Sequence, residues 1–198
     1  MIISDNTLYY LFSTSAQVLV AAIGLSAVFV QFKTSAIKKF LIGDGETTLV
    51  KVDGNTSGYG NILTVSDRNS LSDAVLRHDI VNIGKAIKIL SDNERNKGTE
   101  IPPNGFQNFY KRFELMREYL KILLAKMKEA TVFSFAIIIL LLLSLSIVDF
   151  IKNCFCYQIF FIVINLLMTI IALYKIGEII IIGIDDKSLT DPDQKEKK

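Results

Sequence analysis

Three long apolar stretches, Leu8–Phe32, Val132–Val148 and Tyr157–Ile182, alternate with charged sequence. A helix rising about 1.5 Å per residue needs roughly 20 residues to cross a hydrocarbon core of about 30 Å, and each stretch meets or nearly meets that length. The pattern predicts an all-α integral membrane protein with three transmembrane helices. The segment between the first two is too charged for lipid, so it predicts a small soluble insert.

Inside the insert two apolar stripes stand out. Leu76, Ile80, Ile83, Ile87 and Leu90 fall at spacings of four, three, four and three, one face of a helix. Ser70 with Asp73 resembles a capping box opening that helix. The second stripe is longer. Phe106, Phe109, Phe113, Met116, Leu120, Leu123 and Met127 alternate spacings of three and four in a heptad-like run. Without Pro or Gly to separate it from the second span, one helix is expected from about Phe106 to Phe150. The two stripes predict an antiparallel helical hairpin, and the second also offers a surface for self-association below the membrane. Lys97–Gly105, with two prolines, is the connector.

Around the first span the pattern predicts a helix reaching about Leu41, stopped by Gly43-Asp44-Gly45. The β-branched run Glu46–Val52 before Asp53-Gly54 is a strand-and-turn signal, with Ile62–Val65 as a candidate return strand. Two strands alone are marginal. The resulting division is 1–41 for the first span and its extension, 42–69 for a Gly-rich loop with a candidate β-hairpin, and 70–130 for the helical hairpin. Residues 131–184 hold spans two and three, and 185–198 form a charged tail too polar to order itself.

Charge adds orientation. Lys33, Lys38 and Lys39 follow span one, Lys111 to Lys128 include the basic residues before span two, and Lys187 to Lys198 include those after span three. The hairpin between spans two and three carries Lys152 alone. The positive-inside rule then expects an outside N-terminus with insert and C-terminal tail in the cytoplasm, in a bacterial inner membrane. The first stretch is too long and its start too poor in Lys and Arg for a cleaved signal peptide. The 22 basic and 20 acidic residues form no basic stripe, so nucleic acid is not an expected partner.

Candidate chemistry lies in the polar residues of the spans. Gln17, Gly24 and Gln31 are seven apart and share a line on a helix, with Ser13 and Ala27 near it. An amide in hydrocarbon is costly without a partner or water. The line is therefore expected to be a helix-packing seam, supported by the small pair Ala22 and Ser26, or the lining of a pore ringed by copies of the chain. Asn165 and Thr169 sit one turn apart on span three, with Asn165 expected to meet Gln17 or another polar group of span one. Lys175 and Glu178, three apart, can pair on the helix surface or form an inner-mouth ring of charge.

No catalytic motif emerges, and an enzyme is not expected. The Gly-rich segments lack the Gly-Lys-Ser/Thr ending of a phosphate loop, and Asp44, Glu46 and Asp53 do not match a calcium loop. His78 stands alone as the chain's one histidine, a solvated residue with no companion to hold a metal. No cofactor is implied. Cys154 and Cys156 are too close for an easy intrachain disulfide, leaving interfacial residues or an intersubunit bridge. Two functions follow as expectations: a homo-oligomeric, channel-like protein, such as a triggered membrane effector, or an anchor whose insert docks a soluble partner.

Overall fold

A computed structural model describes residues 5–54, 63–96, 105–151 and 155–184. Among the described residues the regular elements are all helices, with no strand: α1 (Asp5–Asp53), α2 (Val65–Leu76), α3 (Ile80–Asn96), α4 (Phe106–Ser146), the single turn α5 (Val148–Ile151) and α6 (Phe155–Ile184). Three of these, α1, α4 and α6, are long and apolar enough to cross a membrane. Residues 55–62, most of the connector 97–105, Cys154 and the tail from Asp185 lie outside the description.

The chain divides into two compact units, within Met1–Phe32 with Ile122–Asp185 and within Lys33–Lys121 with Asp186–Lys198. The first unit is a three-helix bundle around Leu8, Phe12, Leu19, Ile137, Leu141 and Ala172. Its α4 and α6 run antiparallel, as the pairs Lys126–Glu178 and Glu129–Lys175 require. Gly183 lets α6 close on α1, since a Cβ there would meet the Phe29 ring at 2.2 Å. The expected helix to Phe150 ends instead at Ser146. Ile147 N–H bonds to Ser144 O and Phe150 N–H to Ile147 O, a tightened turn that separates α4 from α5.

The second unit is built on the continuation of α1. Leu41, Val52, Leu71, Ile83, Ile87, Leu90, Phe106 and Phe113 share its core. Both expected stripes contribute, but Leu76 does not: it is 78 % exposed. The reason is a break the sequence reading missed. α2 ends at Leu76, His78 takes φ 57°, and α3 starts at Ile80. His78 N–H bonds to Val75 O and Asp79 N–H to Ala74 O, the paired bonds of a Schellman ending. Asp79 then caps α3 by accepting from the N–H groups of Val81 and Asn82. The opening cap of α2 is also displaced from the expected Ser70 to Thr64, which accepts from Asp67 N–H at 3.1 Å.

The expected stop at Gly43–Gly45 and the expected strand 46–52 are both overturned, because α1 runs through them to Asp53. Gly45 serves close approach and not termination: a Cβ there would meet Ile83 at 2.9 Å and Val75 at 3.2 Å. Thr47 and Thr48 bond their hydroxyls to the carbonyls of Gly43 and Asp44, so these β-branched residues sit in a helix with their polar groups satisfied. Ile37, Leu41, Thr48 and Val52 extend the buried face of α1, and burial of that face outweighs local strand propensity.

Candidate functional site

The buried face of α1 in the three-helix unit is Leu8, Phe12, Ala16, Leu19, Ser26 and Val30. At about 100° per residue, Gln17, Gly24 and Gln31 lie well round the helix from that face. All three are exposed, and a Cβ on Gly24 would meet nothing within 4 Å. Gln17 and Gln31 form no hydrogen bond among the described residues. Ser13, half-buried on the same side, lines an open cavity of about 500 Å³ with Asn6, Tyr9, Tyr10 and Leu145. The expected line exists, and it faces outward from the bundle.

The polar residues inside the bundle behave differently. Asn165 donates to Phe161 O and Thr169 to Asn165 O, each on its own helix. Ser144 donates to Leu140 O and Ser26 to Ile23 O. Ser26 also approaches Met127 Sδ at 3.8 Å, so the inner seam between α1 and α4 carries the small pair's serine. The expected meeting of Asn165 with Gln17 does not occur: one is buried and locally bonded, the other exposed. Asn165 and Ser144 border a small apolar cavity of about 120 Å³ with Ile137, Phe161 and Met168. Two further polar residues of the bundle are buried, Ser134 on the second span and Gln158, the latter not singled out from the sequence. Ser134 Oγ has no hydrogen-bond partner among the described residues.

Lys175 and Glu178 do not pair with each other. Lys175 bonds Glu129 and Lys126 bonds Glu178 at 3.0 Å, two crossed ion pairs that tie α4 to α6. Lys175 also lies 5.4 Å from the Phe133 ring centroid. The pairs are solvent-accessible, so their contribution is small and screened by salt. Lys175→Glu is expected to lower the melting temperature of the solubilised chain, and Glu129→Lys added to it should recover the loss. Both effects should fade in 1 M salt, where the Debye length is about 3 Å. Recovery absent at low salt would argue against the pairing.

Of the heptad-like stripe, Phe106, Phe113 and Met116 are buried in the second unit and Leu123 in the first, while Phe109, Leu120 and Met127 are half-buried. Phe109 lies between two cations, with Lys51 Nζ at 4.2 Å and the Arg112 guanidinium at 5.0 Å from its centroid. Arg112 also donates to Asp44 at 2.6 Å and covers the Phe40 ring. Asp44, twelve residues past the first apolar stretch, has a side chain only 7 % exposed. Burial pushes its carboxyl above the ordinary carboxylate range, and Arg112 opposes that shift without cancelling it. Its Oδ2 has no partner among the described residues. Glu94, also buried, accepts from Gln107 N–H and so caps the start of α4. These contacts organise the core of the unit.

His78 is exposed, and Cys156 is exposed and unbridged. No cluster of three or more His, Cys, Asp or Glu residues suited to a metal occurs among the described residues. The fold defines an all-helical protein with three membrane-capable helices. Compared with protein families, with curated proteins and with solved structures, the chain matches none of them.

Proposed function

We propose that the chain is a homo-oligomeric, channel-like protein of a bacterial inner membrane, with copies associating along the Ser13–Gln17–Gly24–Gln31 line of α1. The observation that carries this reading is the outward exposure of two unbonded glutamines on a helix apolar enough to span lipid. Asn165, Thr169, Ser144 and Ser26 in the bundle bond their own helices; these two amides do not, and hydrocarbon would leave them unsatisfied. A second copy presenting the same line provides amide partners, and a ring of copies gives a polar, uncharged path beside apolar walls. In this reading the insert lies on the cytoplasmic side, as the Lys and Arg distribution favours. A trigger acting on the insert would make the protein a membrane effector.

Gly24 offers a direct test of association. Gly24→Cys, on a background with Cys154 and Cys156 replaced by serine, is expected to form disulfide-linked dimers in membranes under mild oxidation. Leu25→Cys, exposed but about 100° off the line, should not. Equal cross-linking at both positions, or at neither, would count against this interface.

A second reading, an anchor whose insert docks a soluble partner, draws on the exposed apolar residues Val65, Leu76 and Val81 of the second unit. Replacing the spans with unrelated apolar helices would preserve activity under that reading and abolish it under the first.

A further inference from the structure

Ser35, Lys38, Lys39 and Ile42 of α1, with His78 and Ile80 from the α2–α3 junction, line an open cavity of about 460 Å³. Its polar wall is made of donors: two ammonium groups, a hydroxyl and an imidazole. The nearby carboxylates are engaged elsewhere, Asp79 in capping α3 and Asp73 with Arg77 at 2.8 Å. No carboxylate pairs with Lys38 or Lys39 among the described residues. Ile42 and Ile80 give the same cavity an apolar side.

Two further observations bear on what would fill it. Ser35 stands three residues beyond Phe32, the end of the first apolar stretch, and Lys39 seven beyond it. Along one helix that is about 4 to 11 Å past the hydrocarbon edge, where the headgroup layer of a bilayer extends about 5 to 8 Å. The second is the backbone at His78. Its φ of 57° is the conformation a helix ending usually gives to glycine, and a side chain there carries a steric penalty. The chain's one imidazole is held at the cavity by a backbone that would be more relaxed without it.

We infer that this cavity binds the phosphate of an anionic phospholipid headgroup. Lys38 and Lys39 supply the charge, and Ser35 and His78 donate hydrogen bonds to phosphate oxygens. The same donors would accept a soluble phosphate; the position of Ser35, Lys38 and Lys39 along α1 favours the lipid. The site stands independently of the channel reading, since all six residues belong to one chain.

The test is native mass spectrometry of the full chain in detergent, titrated with phosphatidylglycerol, with phosphatidylcholine, and with inorganic phosphate. Phosphatidylglycerol is expected to bind in preference to phosphatidylcholine. Lys38→Ala/Lys39→Ala should weaken it about thirtyfold, roughly fivefold for each lysine. Lys88→Ala/Lys111→Ala, which removes the same charge outside the cavity, should leave it unchanged. His78→Gly should weaken binding about threefold, the loss of one hydrogen bond, while raising the melting temperature. Equal retention of the two lipids, or phosphatidylglycerol binding indifferent to the Lys38/Lys39 change, would overturn the assignment. Displacement of the lipid by millimolar inorganic phosphate would overturn it in favour of a soluble anion. Dissociation of oligomers by Lys38→Ala/Lys39→Ala with lipid binding intact would give the cavity to a second copy instead.

Discussion

Exchanging Gln17 and Gln31 together for leucine is expected to cut ion flux through reconstituted protein by about tenfold or more. The path along α1 would lose its amides and become apolar, and a barrier only about 1.4 kcal/mol higher gives that factor. The same exchange would remove the proposed hydrogen bonds between copies, worth about 0.6 to 2 kcal/mol each, so oligomers should also weaken. Measuring flux and oligomer mass on one preparation separates the two effects. Flux falling while the oligomer holds would put the glutamines beside the conducting path. Dissociation would make them the interface. Flux and mass both unchanged would remove α1 from the pore altogether. The chain itself should remain folded, because neither side chain touches the buried face of its bundle.

Phe113→Ala is expected to destabilise the second unit by about 3 to 5 kcal/mol, the cost of removing a fully buried aromatic ring. The ring sits on α3 where Gly84 makes room for it: a Cβ at 84 would lie 2.7 Å from Phe113 Cε1. The two positions should therefore couple. Gly84→Ala is expected to destabilise the native chain by overpacking but to be neutral or favourable beside Phe113→Leu, where helix propensity regains about 1 kcal/mol. Leu76→Ala should cost no more than about 0.5 kcal/mol, as expected for an exposed side chain. Amide hydrogen exchange within α3 and the first turns of α4 would report all four variants. A Leu76→Ala effect as large as that of Phe113→Ala would contradict the break at His78.

That comparison marks where the sequence was legible and where it was not. The membrane-capable helices were plain because runs of Leu, Ile, Val and Phe need no partner to be recognised. The stripe from Ile83 to Leu90 and that from Phe106 to Leu123 were legible for the same reason, as faces of single helices. What failed were positions whose meaning depends on a distant neighbour. Gly45 reads locally as a helix terminator, yet it is small because Ile83 and Val75 come close. The signal that could have corrected this was the continuation of the α1 stripe through Ile37, Leu41, Thr48 and Val52. At His78 no such signal existed, since Arg-His-Asp carries neither Gly nor Pro and the apolar spacing crosses the break undisturbed. The line of Gln17, Gly24 and Gln31 was visible from its spacing. Its direction was not, because which side of α1 is inward is decided by α4 and α6.

The local bonds of the polar residues inside the bundle also bear on biogenesis. Asn165, Thr169, Ser144 and Ser26 each donate to a carbonyl three or four positions back on their own helix. Such helices can enter lipid one at a time, with these donors already satisfied before any neighbour arrives. Bringing the three together then rests on surfaces that fit and on the ion pairs between α4 and α6. Gln17 and Gln31 are the contrast: their amides remain open after the single chain has finished folding, so in the proposed oligomer their pairing with other copies would come as a later step, sensitive to how much protein the membrane holds.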